Sequence, residues 1–341
     1  MIQAAQDPVL HNDWHPVAAG GDLVRDKLVP ARLLGQDMVL WRDPGGSVRA
    51  WEDRCPHRGT RLSIGRVEGS EVVCAYHGWH FDTEGRCALI PAHPDLAVRT
   101  QARVAAYSAE ERYGLIRVRL GDGTGKPPPF PEYDDPKLRK VLCGPYVVEA
   151  SGPRIVENFL DMAHFSHVHT GILGDPGHTE VRDYEVGPFD DGEGGRGVIA
   201  THCYAWQPRT NSLSESGTEV EYTYRVVRPL TAILNKLPES QQGDREAITL
   251  HIQPLEPELS RVWMILALTN FAQSEQELRE FQDRIFLQDK PILENQVPKR
   301  LPLDPGVEMP VRCDRLSLEY RAYLRHIGLR YGVLSSVKGE E

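Results

Sequence analysis

"RCPHRGTRLSIGRVEGSEVVCAYHGWHF", residues 54–81, decides the reading of this chain. It holds two donor pairs, Cys55-Pro56-His57 and Cys74-Ala75-Tyr76-His77, with sixteen residues between His57 and Cys74. The intervening residues read as strand and turn, so each pair falls at a strand end. Pro56, Gly59 and Gly78 let both loops bend tightly around a buried inorganic core. Thiolates and imidazoles together suit zinc or an iron–sulfur cluster. A zinc finger usually carries its second pair as two histidines on a helix. Here each pair joins one cysteine to one histidine, and each sits in a turn.

"CPHRG" and "CAYHGWHF" resemble the motif of the Rieske [2Fe-2S] proteins, Cys-x-His, a spacer, then Cys-x-x-His. The resemblance implies that Cys55 and Cys74 hold one iron, and His57 and His77 the other. Neutral imidazoles replacing two thiolates raise the cluster's potential. Such a centre passes one electron. It serves a small ferredoxin, a respiratory subunit or an oxygenase, and the rest of the chain must choose among them.

The chain has 341 residues, enough for one large domain or two ordinary ones, with 40% hydrophobic residues to bury. Its net charge is −10 and its basic residues are dispersed, which argues against nucleic acid or an anionic membrane as partner. The N-terminal residues carry no basic segment followed by an apolar one, so no signal peptide is expected. The longest apolar run, Val262 to Leu268, is too short to span a bilayer. Six cysteines in a chain this long make no disulfide framework, and a reducing cytoplasm is the expected location.

Residues 30–43 and 47–54 flank Gly45-Gly46, a hairpin signal. A turn is expected at Asp82 to Gly85, and a strand in "RYGLIRVRLG", residues 112–121. The Gly- and Pro-rich stretch 121–136 marks a boundary. Beyond it, residues 153–169 read as helix and 180–271 as mostly strand. A helix follows Ser274, whose spacing to Glu277 fits a capping box, and a last helix runs from about Asp314 to Gly328. The expected fold is α+β: an all-β domain over 1–135, then a larger α+β domain over 136–341.

"RIVENFLDMAHFSHVHTG", residues 154–171, carries a second constellation. Asn158, Asp161 and His164 lie three apart and would share one face of a continuous helix. They make either a solvated polar stripe or part of a 2-His-1-carboxylate iron site with open positions for O₂. Helix geometry favours His167 as the second histidine, since His169 lies about 140° round from His164 at roughly 100° per residue. Asp161-x-x-His164 is also half of a di-iron signature, but Asp175-Pro-Gly-His178 would supply the other half from a turn rather than a helix. A carboxylate is found downstream. On the helix after Ser274, Asp289 shares a face with Leu278, Phe281, Ile285, Ile292 and Gln296. A carboxylate in an apolar stripe is costly unless neutralised, by iron or by a salt bridge.

The segment Asn-x-x-Asp-x-x-His-x4-His at Asn158, Asp161, His164 and His169 resembles the iron motif of the Rieske non-haem iron oxygenases, and "QDKPILENQ" resembles their downstream carboxylate segment. "NDWHPVA", "ERYGLIRV" and "DRLSLEYRAYLR" extend the similarity almost end to end, toward the monooxygenase and demethylase branch. The resemblance implies a helix-grip catalytic domain with an antiparallel sheet, and mononuclear Fe(II) on His164, His169 and Asp289. It implies a head-to-tail homotrimer in which Asp161 bridges His164 to His77 of a neighbouring subunit. It further implies a terminal oxygenase that uses O₂ to hydroxylate, or oxidatively O- or N-demethylate, a small aromatic or heterocyclic compound. Neither a Gly-x-Gly-x-x-Gly fingerprint nor a second cysteine set is present, so electrons from NAD(P)H would come through a separate reductase or ferredoxin. The alternatives are a ring cis-dihydroxylating dioxygenase and, from another class, an electron carrier or redox sensor with a ligand-binding domain. Tyr204, Trp206, Tyr222, Tyr224, Trp263 and Phe271 are candidates to line a pocket.

Overall fold

Strands dominate both halves of the chain. The computed structural model describes residues 7–335 except 96, 193–194, 210–215, 239–244 and 305, and divides between Pro127 and Pro128 into two units.

In the first unit a short helix α1 (Pro8–His11), capped by Asp7, leads into two sheets. The larger is antiparallel in the order β1 (His15–Ala19), β10 (Leu115–Arg119), β9 (Ala106–Arg112), β4 (Val48–Glu52), β3 (Gln36–Arg42), β2 (Val29–Leu33). The smaller runs β5 (Arg66–Glu68), β6 (Glu71–Val73), β7 (His80–Phe81), β8 (Cys87–Leu89). The hairpin at Gly45-Gly46 forms as the sequence indicates. Stretch 30–43 is itself a second hairpin, turning at Leu34-Gly35 with φ of 50° and 78°, the mirror-image turn that suits twisted strands. Val39, Trp41, Trp51, Leu62, Val72 and Phe81 form a buried core, and the thiols of Cys55 and Cys74 are part of it. Trp41 and Trp51 meet edge to face at 5.1 Å. Each such side chain contributes about 1.5–3 kcal/mol on burial, so the floor beneath the two Cys–His loops is stiff.

The second unit opens with α2 (Pro131–Asp134) and is built on one seven-stranded antiparallel sheet. Its order is β11 (Arg139–Val148), β17 (Leu259–Leu268), β16 (Glu246–Glu256), β15 (Thr231–Pro238), β14 (Thr218–Arg228), β13 (Arg196–Gln207), β12 (Glu185–Asp190). Period-2 alternation is plain in β14, where Val220, Tyr222, Tyr224 and Val226 are buried between more exposed polar neighbours. Helices α3 (Gly152–Leu160), α5 (Glu275–Asn295) and α6 (Arg315–His326) pack on this sheet. A buried ion network ties α3 to α6: Arg154 pairs with Glu308 at 2.5 Å, and Arg321 pairs with Glu157 at 2.5 Å and Glu308 at 2.5 Å. No helix of the described residues is long and apolar enough to cross a membrane.

Two expectations are corrected. The helix expected over 153–169 ends at Leu160. Asp161 is extended (φ −84°, ψ 133°), and its Oδ1 accepts the Ala163 N–H at 2.7 Å, a local turn that competes with helix continuation. A separate short helix, α4 (Phe165–Val168), follows. Asn158, Asp161 and His164 therefore do not share one helix face. On α5 the capping box is present, but the buried stripe is Leu278, Gln282, Phe286, Asp289 and Leu293. Phe281 and Ile285 flank that stripe, Ile292 is 46% exposed, and Gln296 lies past the helix end. Asp289 is on both versions of the face.

Candidate metal centres and substrate cavity

The two Cys–His loops are near copies. Cys55 N–H donates to Thr60 O at 2.8 Å and Gly59 N–H to Cys55 O at 2.9 Å. In the other loop Cys74 N–H donates to Trp79 O at 2.9 Å and Gly78 N–H to Cys74 O at 3.0 Å. Gly59 and Gly78 have φ of 76° and 65°, a conformation that favours glycine. Both thiols are buried, and burial, with the Cys74 thiol beside it, pushes the Cys55 thiol up to about 11. Both imidazoles are exposed, with ring centroids 4.5 Å apart, and Trp79 stacks flat on His57 at 4.5 Å. Two buried thiols and two exposed imidazoles on a pair of such loops are the donor types of a Rieske cluster.

In the second unit three donors converge from distant segments. His164 Nε2 and His169 Nε2 are 3.2 Å apart, and Asp289 Oδ1 lies 3.3 Å from the first and 3.1 Å from the second. Adjacent ligands about 2.1 Å from one octahedral metal stand roughly 3 Å from each other, so this triangle has the size a single ion requires. Each donor is held from behind. Asp161 Oδ2 faces His164 Nδ1 at 3.1 Å, Gln288 Oε1 faces His169 Nδ1 at 3.0 Å, and Asn158 Nδ2 reaches Asp289 Oδ1 at 3.5 Å. Burial opposes charge on His164, but hydrogen bonds to Asp161 and Asp289 outweigh it and lift its pKa to about 9. Burial acts against the Asp289 carboxylate too, and the two histidines still bring its pKa below the ordinary value. The break in the chain at Asp161–His164 makes the geometry possible: it turns His164 to face His169, five residues on. His167 is exposed, and Asp175 and His178 form a surface pair at 3.5 Å away from the triangle.

Beside this triangle lies a cavity of about 110 Å³, lined by α3, α4, α5 and β13–β17. Its walls are mostly Phe, Leu, Ile and Tyr side chains. Of the six aromatics named as pocket candidates, Tyr222 and Tyr224 line it. Trp263 is buried on Gln253, Phe271 is 60% exposed, and Tyr204 and Trp206 border a separate open groove. The cause is a bulge in β13 at His202, where φ is 57° and the pairing slips between Ala200 and Cys203. One slipped position exchanges the faces of a strand, and Gln207 instead of Trp206 turns to the cavity. Gln207, Lys236, Glu246 and Gln288 were not legible in the sequence: each depends on register or on a partner far along the chain.

Residues 13–106 match the Rieske [2Fe-2S] domain family, and residues 148–329 match the vanillate O-demethylase oxygenase C-terminal domain. The chain belongs to the Rieske non-haem iron oxygenases. Methylxanthine N1-demethylase NdmA of Pseudomonas putida is 32% identical over 326 residues, 93% of this chain and 89% of that protein. The structure of NdmA with caffeine superposes with a TM-score of 0.81 at 30% identity, covering 93% of this chain and 90% of the other. Dicamba monooxygenase bound to dicamba, at 21% identity and a TM-score of 0.75 over 93% and 97% of the two chains, shares the fold. A shorter stretch of 117 residues, 34% of this chain, is 45% identical to 20% of Oxidoreductase NdmD of Pseudomonas putida. This Rieske oxygenase is thus the oxygenase component of a multicomponent system. It uses a [2Fe-2S] cluster and mononuclear iron to hydroxylate or oxidatively demethylate a small molecule with O₂, drawing electrons from a separate reductase. Its α+β fold, with an all-β Rieske domain before a helix-grip catalytic domain, is that of the family.

Proposed function

We propose that the chain removes a methyl group from a small N- or O-methylated ring compound, in the cavity beside His164, His169 and Asp289. The convergence of those three donors at the wall of an apolar cavity carries this reading. Residues 1–135 act as the electron-transfer domain and 136–341 as the catalytic domain. Cys55, Cys74, His57 and His77 hold the cluster, and His164, His169 and Asp289 hold the iron, which supplies O₂ activation. Asp161 accepts the Nδ1–H of His164 and so fixes the ring with Nε2 forward. Gln288 does the same for His169. Asn158 keeps the Asp289 carboxylate turned toward the two histidines. The apolar walls exclude bulk water and hold the methyl group near the donors.

The working form is a head-to-tail homotrimer in the cytoplasm, in which Asp161 also meets His77 of a neighbouring subunit. Asp161 is partly exposed beside His164, and His77 is exposed beside its cluster loop, so each has a free edge for that contact.

Iron counting tests the ligand set. The protein should hold three irons per chain. Asp289→Ala and His169→Ala should hold two with an unchanged Rieske spectrum, and His167→Ala should keep three. Loss of iron in His167→Ala alone would refute the assignment. Incorporation of one atom from ¹⁸O₂, with release of formaldehyde, identifies demethylation; two atoms in a ring diol would replace it with dihydroxylation.

A further inference from the structure

The cavity wall carries a polar row that the metal chemistry does not use. It crosses four neighbouring strands, three of them in register, with Gln207 reaching the row from further along its own strand. Gln207 on β13 donates through Nε2 to the Tyr222 hydroxyl on β14. Tyr222 is paired in register with Lys236 on β15, and Lys236 with Glu246 on β16. Lys236 Nζ meets Glu246 Oε2 at 3.2 Å, and Glu246 Oε1 accepts the Thr269 N–H at 2.9 Å and the Thr269 hydroxyl at 2.8 Å. Two residues along β14 from Tyr222, on the same face of the strand and in the same wall, stands Tyr224.

Two atoms here lack partners among the described residues. Gln207 Oε1 and the Tyr224 hydroxyl are both buried, in side chains 1% and 0% exposed, and neither has a hydrogen bond. A buried polar group left unpaired costs about 1–3 kcal/mol, so two of them in the wall of one cavity point to a ligand that completes them. Gln207 Oε1 takes a donor. Tyr224, whose pKa burial raises well above its ordinary value, stays protonated and gives its O–H to an acceptor. The charge at this wall is already balanced: apart from the two histidines assigned to the iron, Lys236 is the one cationic side chain lining the cavity among the described residues, and Glu246 pairs with it.

We propose that this wall recognises an uncharged ring compound bearing an N–H or O–H donor, held by Gln207 Oε1, and a carbonyl acceptor, held by the Tyr224 hydroxyl. A carboxylate is rejected, because it would lose its water with no unpaired cation in the wall to receive it. A ring of the same size with its donor methylated is bound less well, because it leaves Gln207 unpaired; sites built around a buried hydrogen bond discriminate strongly against ligands that lack it. This rests on reading the cavity as the substrate chamber.

Calorimetry on the cluster- and iron-loaded protein tests it with three probes. Theobromine is uncharged and has a ring N–H beside carbonyls. Caffeine is the same ring with that N–H methylated. 3-Methoxybenzoate is a methylated ring with a carboxylate. Theobromine should bind at least tenfold more tightly than caffeine, and 3-methoxybenzoate should not bind detectably. Gln207→Leu should bring theobromine down to the caffeine affinity and leave caffeine within about twofold. Tyr224→Phe, which keeps the ring, should weaken both about tenfold. Gln207→Met serves as a second variant, and the Rieske absorbance verifies the fold of each. The proposal is overturned by equal binding of theobromine and caffeine, by binding of the benzoate, by discrimination that survives at Gln207, by an unchanged Tyr224→Phe, or by no binding of either xanthine. A separate readout isolates the underlying reading: theobromine should shift the EPR signal of the iron's nitric oxide complex. Discriminating binding without that shift leaves the recognition standing and refutes the cavity as the reaction chamber.

Discussion

Gln288 Oε1 stands 3.0 Å from His169 Nδ1, one residue before the carboxylate that meets the same histidine's other nitrogen. Adjacent residues of α5 thus hold both ends of one imidazole. The amide fixes the ring's tautomer and tilt, and partners of this kind are worth about 10–100-fold in metal affinity. Gln288→Leu should therefore lower iron retention by that factor, measured by competition with a chelator, with the cluster spectrum unchanged. Gln288→Glu, which still accepts from Nδ1–H, should retain iron close to the parent level. Equal retention in Gln288→Leu would mean that packing alone orients His169.

Asp161 has two separable duties. Its Oδ1 holds the turn through Ala163 N–H, and its Oδ2 faces His164. Asp161→Asn keeps an oxygen for the turn and replaces the second acceptor with an amide. Both metal sites should stay occupied while turnover nearly stops. In a single turnover of pre-reduced protein with O₂, the mononuclear iron should oxidise and the cluster stay reduced. Cluster oxidation coupled to product in this variant would remove Asp161 from the electron path.

Glu246 sets a pH dependence. Burial opposes its charge, yet Lys236 and Thr269 bring its pKa below the ordinary value. A carboxyl whose folded pKa is depressed contributes stability above its unfolded pKa of about 4.3, and loses it as pH falls through the folded value. Glu246→Gln takes the carboxylate away from the buried Lys236 ammonium and should cost about 3 kcal/mol at pH 7. That difference should shrink as pH falls below 4. Urea midpoints across pH 3.5–7 check this, and a constant gap would show that the pair's charge is immaterial.

Gly174 lies against the backbone of Phe165 and Ser166, at the close of the loop that follows α4. A β-carbon there collides with main-chain atoms, which cannot step aside as a flexible side chain can. Gly174→Ala should displace the His169 segment and release iron although residue 174 is no ligand. Retained iron, counted per cluster, would show that the loop yields elsewhere.

The two Cys–His loops were legible because they are local: Cys55, His57, Cys74, His77 and both turn glycines fall within 55–78, and hairpin signals surround them. Asp289 was legible because a carboxylate interrupts an apolar stripe, even though the stripe was read through Ile292 instead of Leu293. The helix break at Asp161 was not, since a single Asx turn overrode otherwise good helical sequence. The bulge at His202 was also hidden, and it decides that Gln207 and not Trp206 meets the cavity. Register effects of this kind arise from pairing with β14, which no window of β13 contains.

The two donor sets also differ in how much chain must be finished before each exists. The cluster donors need one short stretch and the sheets around it. The partners Gln288 and His169 are 119 residues apart, with β12 to β17 built between them. During synthesis, the first set is complete when most of the second unit is still unmade, and iron can be captured at the second only once its entire sheet is closed. The chain therefore carries an order of completion: a molecule stopped after β17 has both Cys–His loops and lacks the Asp289 carboxylate.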